Sequence, residues 1–289
     1  MNRIQKLILG TANFGIKYGI ACQRKLKKEE IFKILDIALK EGFWGVDTAP
    51  AYGEAELILG EYIEMRNKKF NIITKLPHKE YSTAHEVEIE VFKSLQRLQV
   101  QKIDFLLIHS FETFKKYNNI IIPVLSYLIN KDIIKYFGIS VYHPEEVMMF
   151  LKLYKKKFAV EFPLNLFDRR FLPFLKEWKK IGLFLFGRSI FLQGLFFLQP
   201  KDLKGKFLKV KDKLLKLREL SLNYGVDISC IALNFVVSKE LLDGFIVGVD
   251  SLEHLLKNLE CLKNRWKLSD NLFKKFEFTD EEILLPYKW

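Results

Sequence analysis

Along the chain, short apolar runs alternate with longer stretches in which apolar positions recur every three or four residues. The short runs cover residues 7–10, 43–46, 71–74, 103–108, 134–139, 158–162, 183–186 and 244–247. Apolar almost throughout and too short for helices, they predict strands buried on both faces, as a parallel sheet requires. Between them, Lys28–Glu41 places Ile31, Ile34, Leu35, Ala38 and Leu39 on one face, the pattern of a helix with one buried stripe. Residues 54–65, 83–98, 120–130, 144–155, 206–224, 229–238 and 252–262 read the same way. Eight strands separated by helices predict an α/β chain closed into a (β/α)8 TIM barrel. The length of 289 residues suits one such barrel, and no Pro/Gly/Ser-rich linker or repeat divides it, so residues 1–289 read as a single domain.

Three of the runs end on residues that can carry charge. FWGVD closes on Asp47, FNIITK on Lys75 and IDFLLIH on His109, with Tyr52 five residues after Asp47. The carboxyl ends of parallel barrel strands open on one face, so residues far apart in sequence converge there. The pattern predicts one proton-handling site. Singly, each residue has a plain structural role available: a turn cap, a rim aromatic, a snorkelling lysine, a core histidine.

Composition narrows the classes. The net charge is +12, carried by segments such as KLKKEE and KGKFLKVKDKLLKLRE. These lysines alternate with apolar residues at helical spacing, as on solvated outer helices, and no nucleic-acid motif accompanies them. Attraction of an anionic substrate stays open. The apolar run before Gly10 is too short for a secretory signal, and the uncharged stretch 189–200 is too short to span a bilayer. Cys22, Cys230 and Cys261 are odd in number and scattered, which argues against a disulfide framework, gives no metal-ligand spacing and fits a reduced cytoplasm.

The ordered blocks GTANFG, VDTAPAYGEAELILG, ITK, LQVQKIDFLLIH, YFGIS, FPLNLFDRR, GRSIFLQGLF and GFIVGVDSLEHLLKNL together resemble the aldo-keto reductase superfamily over most of the chain. The resemblance implies a barrel oxidoreductase that reduces an aldehyde, ketone or keto sugar with NADP, or with NAD as the second choice. The family's tetrad carries over onto Asp47, Tyr52, Lys75 and His109 without substitution. It implies Tyr52 as general acid in reduction and general base in oxidation, with Lys75 lowering its pKa, Asp47 holding Lys75, and His109 orienting the carbonyl.

For the cofactor, the resemblance implies contacts from Gly10, Thr11 and Asp47 at the first strands, Ser140 and Glu161 in the middle, and Arg188 and Ser189 after the seventh. Gly248, Ser251 and Asn258 would receive the adenosine half. The pattern is incomplete. Val141 stands where relatives have Asn, Glu161 where they have Gln, and Arg188 where an aromatic ring commonly stacks on nicotinamide. Asn165 is a candidate replacement for the missing amide, and Arg188 has two readings, a stack on the ring or an ion pair with Glu161. At GVDS, basic residues for a 2′-phosphate are replaced by Asp250, Ser251, His254 and Lys257, which weakens the expectation of NADP.

Phe14, Tyr52, His109 and Tyr142 are expected to line the substrate pocket, with Trp44 and Phe191 as further apolar walls. Phe167, Asp168, Arg169 and Arg170 would meet a polar or phosphorylated substrate, or else pair with neighbouring helices. The tail ILLPYKW is expected over the rim. Partners are then a small-molecule carbonyl, with a sugar of bacterial glycan synthesis as one option, and neither nucleic acid nor membrane; the chain reads as monomer or homodimer. A cofactor-binding sensor with little turnover is the alternative.

Overall fold

The computed structural model describes residues 3–21, 24–67, 70–264 and 270–289. In chain order the main elements are β1 (Leu7–Gly10), α1 (Lys28–Glu41), β2 (Gly45–Asp47), α2 (Ala55–Arg66), β3 (Asn71–Leu76), α3 (Ala84–Leu98) and β4 (Ile103–Ile108). There follow α4 (Phe111–Asn130), β5 (Ile134–Ser140), α5 (Pro144–Leu153), β6 (Ala159–Pro163), α6 (Leu175–Lys180), β7 (Phe184–Arg188), α7 (Lys211–Tyr224), α8 (Ile228–Val237), β8 (Gly244–Gly248) and α9 (Leu252–Lys263). The strands pair in parallel in sequence order, and β8 closes on β1. The predicted (β/α)8 barrel is the observed fold.

Two apolar layers hold it. The larger lies between the strands and the surrounding helices, where the buried stripe of α1 meets the outward side chains of the sheet. The smaller fills the barrel itself, with Ile8, Ile73, Leu107, Phe186 and Ile246 among its members. At its amino end Phe105 packs 5.0–5.2 Å from the rings of Tyr136, Phe184 and Phe186. A barrel of eight strands has an interior that side chains just fill, and these rings plug it from below.

Several boundaries differ from the sequence pattern. Gly42 ends α1 in a left-handed turn (φ 81°), so Phe43 and Trp44 lead into β2, which begins at Gly45. Trp44 thus lies 5.7 Å from Phe105 in the amino-end plug, not at the pocket wall expected of it. Helix α4 starts at Phe111, before the predicted residue 120, and leaves helical angles at Tyr117, ahead of two asparagines. The region 206–224 divides into a 3-10 segment, Gly205–Val210, and α7.

Cys230 and Cys261 form a disulfide between α8 and α9, with Cα atoms 4.9 Å apart. This corrects the expectation drawn from an odd, scattered count: a separation of 31 residues in sequence says nothing about two helices that pack side by side. The cysteine pattern therefore no longer argues for a reducing compartment. Cys22 lies outside the described residues. Among the described residues, no single helix is long and apolar enough to cross a membrane, and no group of three or more His, Cys, Asp or Glu side chains is arranged to hold a metal ion.

Candidate active site

The carboxyl ends of β2, β3 and β4 bring Asp47, Lys75 and His109 together, as the strand-end pattern requires. Asp47 and Lys75 are 4% and 1% exposed, and the Lys75 ammonium donates to Asp47 Oδ1 and, at 3.2 Å, to the Thr48 carbonyl. Tyr52 ends the short 3-10 turn Pro50–Tyr52, its ring centre 5.4 Å from Lys75 Nζ. His109 meets that ring edge-on at 6.1 Å.

The position of Tyr52 depends on a backbone contact visible only in three dimensions. Gly15 ends the short helical turn Ala12–Gly15 directly against the Tyr52 carbonyl; a Cβ there would lie 1.7 Å from that oxygen. Gly53, next after Tyr52, has φ of 60° and packs back on Gly15. Glycine meets both demands, close approach and a left-handed φ, without strain.

Glu161 joins the cluster through Arg188, one of the two expected readings, and through Lys75, a contact the sequence pattern did not foresee. It is 1% exposed on β6, accepts a hydrogen bond from Ser140 Oγ at 2.9 Å, and lies 3.4 Å from Lys75 Nζ through Oε2, an ion pair without a hydrogen bond. Its Oε1 is 3.3 Å from Arg188 Nε. The result is a row of alternating acidic and basic groups: Asp47, Lys75, Glu161, Arg188. Of the two readings for Arg188, the ion pair forms; its other nitrogens donate to the Val141 carbonyl at 3.0 Å and to Ser189 Oγ at 3.2 Å. The guanidinium also lies 4.4 Å from the centre of the Tyr142 ring.

The row sets the protonation of its neighbours. Burial raises the Asp47 carboxyl to about 8 against the pull of Lys75, with Glu161 pushing it further. Burial also acts to raise Glu161, but Lys75 and Arg188 outweigh it and hold that carboxyl below its usual range. Lys75 is firmly ammonium, because Asp47 and Glu161 overcome its desolvation. Tyr52 departs from expectation: burial raises its pKa, the pull of Lys75 does not overcome it, and Asp47 and Glu161 add to the rise. Burial, followed by Lys75, brings His109 down to about 4, so its imidazole is neutral at neutral pH.

Beside this cluster runs a cavity of about 610 Å³, with Asp47, Tyr52 and Arg188 toward one end and Asp250, His254, Lys257 and Asn258 toward the other. The segment after β7 covers it. Ser189, Leu192, Gln193 and Gly194 all have positive φ, which curls this segment over the opening. It meets the loop after β1 through Gln193 Nε2 to Tyr18 OH at 2.9 Å and Ile20 N to Gln193 O at 2.9 Å. The sequence pattern named neither Tyr18 nor Gln193; QG inside an uncharged run was the available signal for a turn.

Of the expected cofactor contacts, Gly10, Thr11, Asp47, Arg188, Ser189, Gly248 and Asn258 line the cavity. Gly248 is open, with no atom within 4 Å of where a Cβ would stand. Ser140 and Glu161 lie behind the wall, bonded to each other, and Ser251 spends its hydroxyl capping α9 through His254 N at 3.0 Å. Asn165 does not replace the missing amide: it accepts from Phe167 N and Asp168 N and donates to the Ser189 carbonyl.

The residues expected at the pocket divide between its wall and the layers around it. Tyr52 and Phe191 line the cavity, whereas His109 stands edge-on to Tyr52 without lining it and Phe14 is wholly buried in the layer behind. Tyr142 lies at the rim, where Tyr287 of the tail packs on it at 4.8 Å, as expected of that tail. Phe167 is buried, Asp168 pairs with Arg170 at 2.7 Å, and Arg169 packs on Phe235 and donates to the Phe273 carbonyl. Both arginines are thus engaged by neighbouring groups, the second of the two readings, and neither lines the cavity.

Asp47, Lys75, Tyr52 and His109 thus gather at the carboxyl end of a closed parallel barrel, the first two buried and Tyr52 on the wall of the cavity. The chain belongs to the aldo/keto reductase family, whose model matches residues 6–280. It is similar to aryl-alcohol dehydrogenase GME11368 of Pestalotiopsis microspora, 24% identical over 99% of this chain and 82% of that one. It is also similar to norsolorinic acid reductase B of Aspergillus parasiticus, 29% identical over 48% of this chain and 40% of that protein. The chain spans about two fifths and one third of the length of the first curated relatives it matches (40% and 31%). Among solved structures it resembles aldo-keto reductase AKR11C1 from Bacillus halodurans, with a TM-score of 0.77 at 20% identity over 94% of this chain and 91% of that one.

Proposed function

We propose that the protein reduces a small-molecule carbonyl to an alcohol with a nicotinamide cofactor, Tyr52 delivering the proton. The observation that carries this reading is the placement of Tyr52 beside the buried Lys75–Asp47 pair, edge-on to His109, at one end of the cavity. The cavity's volume is that of a ligand site, and its wall of backbone at Gly10 and Gly248 lets a flat, extended ligand approach closely. Gly10, Thr11, Arg188, Ser189, Gly248 and Asn258 would hold a dinucleotide there. When bound, a reduced nicotinamide supplies the hydride.

The chain's own residues then manage the alkoxide that hydride addition creates. Tyr52, kept neutral by burial, is the proton donor. Lys75 stabilises the phenolate as it develops, held in place by Asp47 and Glu161. Neutral His109 supplies a hydrogen bond that fixes the carbonyl oxygen. Aromatic side chains at Tyr18, Tyr52 and Phe191 suit a planar or ring substrate. Relatives named as aryl-alcohol dehydrogenases and a D-arabinose 1-dehydrogenase make aryl aldehydes and sugars the first classes to try.

The test is nicotinamide oxidation by the purified protein against aryl aldehydes, aliphatic ketones, keto acids and keto sugars, with Tyr52→Phe alongside. Turnover that falls by roughly 10²-fold or more in the variant is expected. Turnover unchanged by Tyr52→Phe would refute the proton assignment, and tight cofactor binding without turnover would favour the sensor reading.

A further inference from the structure

The end of the cavity away from Tyr52 carries an acid where a doubly phosphorylated ribose would need a base. Asp250 lines it directly after β8, together with His254, Lys257 and Asn258 of α9. The two basic side chains that line this end each face a carboxylate of the chain: His254 Nδ1 with Asp250 Oδ1, and Lys257 Nζ with Asp227 at 2.9 Å. Arg24, whose charge also acts on Asp250, is held by both oxygens of Glu30 at 2.8 and 2.7 Å. The hydrogen bond from His254 keeps the Asp250 carboxyl below its ordinary range, so it is a carboxylate at neutral pH.

An extended dinucleotide with its nicotinamide beside Tyr52 must place its adenosine half at this far end. A 2′-phosphate carries nearly two negative charges and needs cations free to meet them, whereas a ribose 2′-hydroxyl can donate to a carboxylate. Resting on the nicotinamide-dependent reading above, we infer that Asp250 selects NAD(H) over NADP(H) by accepting from the ribose diol and repelling the 2′-phosphate. This reverses the order of cofactors that the family resemblance implies.

The test is binding rather than turnover: titration of NADH and NADPH by quenching of the tryptophan fluorescence, with ADP-ribose and 2′,5′-ADP as probes of the adenosine end. The wild-type protein should bind NADH at least about tenfold more tightly than NADPH, the order expected of one like-charge contact near a protein surface. Asp250→Asn should narrow that ratio by tightening NADPH and 2′,5′-ADP, and Asp250→Ser should do the same. Equal or tighter binding of NADPH by the wild-type chain overturns this inference alone. So does a ratio unmoved in a variant that still binds ADP-ribose. Failure to bind any of the four probes overturns the proposed function together with it.

Discussion

Tyr52 is neutral because it is buried, and the direction of that shift governs how rate should respond to pH. On the proposed mechanism reduction uses the neutral phenol, so Tyr52 should impose no loss of rate below the strongly alkaline range, while oxidation uses the phenolate and should climb throughout the alkaline range. Comparing kcat against pH in both directions checks this. Glu161 adds to the rise in the Tyr52 pKa and shares the Lys75 charge. Glu161→Gln should therefore move the alkaline limb of oxidation to lower pH, and an unmoved limb would remove Glu161 from the proton network. His109 bears on stability. With a folded pKa of about 4 against 6.5 when exposed, it binds fewer protons folded than unfolded inside that window. Stability should fall as pH drops from 6.5 towards 4, and His109→Gln should flatten that part of a urea-midpoint profile. Asp47, Lys75 and His109 were legible because each closes an apolar run. The pair of Glu161 with Arg188 was one of two readings, but the approach of Glu161 to Lys75 was not legible, since Lys75 stands on β3 and Glu161 on β6 and no local pattern joins them.

Elements carry these side chains through contacts between turns. The helical turn ending at Gly15 and the 3-10 turn ending at Tyr52 meet backbone to backbone. Gly15→Ala should push them apart, costing about 1–3 kcal/mol of stability by overpacking and lowering kcat through displacement of Tyr52. Urea unfolding and steady-state kinetics measure the two effects. A second tie is Glu56, buried on α2, which accepts from Thr74 of β3 at 2.6 Å and from Arg97 of α3 at 2.7 Å. Arg97→Ala should cost about 3 kcal/mol or more, because it leaves a buried carboxylate without its cation, and a loss below about 1 kcal/mol would contradict that account. Helix periodicity alone specifies most of the helices. The roof after β7 is not specified in this way, because its shape comes from positive φ angles that an uncharged apolar run does not announce.

At the scale of the molecule, the Cys230–Cys261 disulfide ties α8 to α9 beside the far end of the cavity, where Ser229 and Asn258 line the wall. Closing a loop of this length should contribute about 2–4 kcal/mol, so Cys261→Ser or a reductant should lower the thermal midpoint, and identical midpoints would show that the link adds nothing. The apolar periodicities, 2 for exposed strands and none for buried ones against 3.6 for helices, were enough to specify eight strands, their order and the face on which polar residues emerge. That much is local physics: a residue's neighbours in sequence decide which side of it is buried. Which charges become partners, which glycines must be glycine, which cysteines join and what Asp250 faces were decided only by closure of the barrel. Each depends on groups distant in sequence brought within a few ångströms, where charge, desolvation and steric contact act over a range that sequence spacing does not encode.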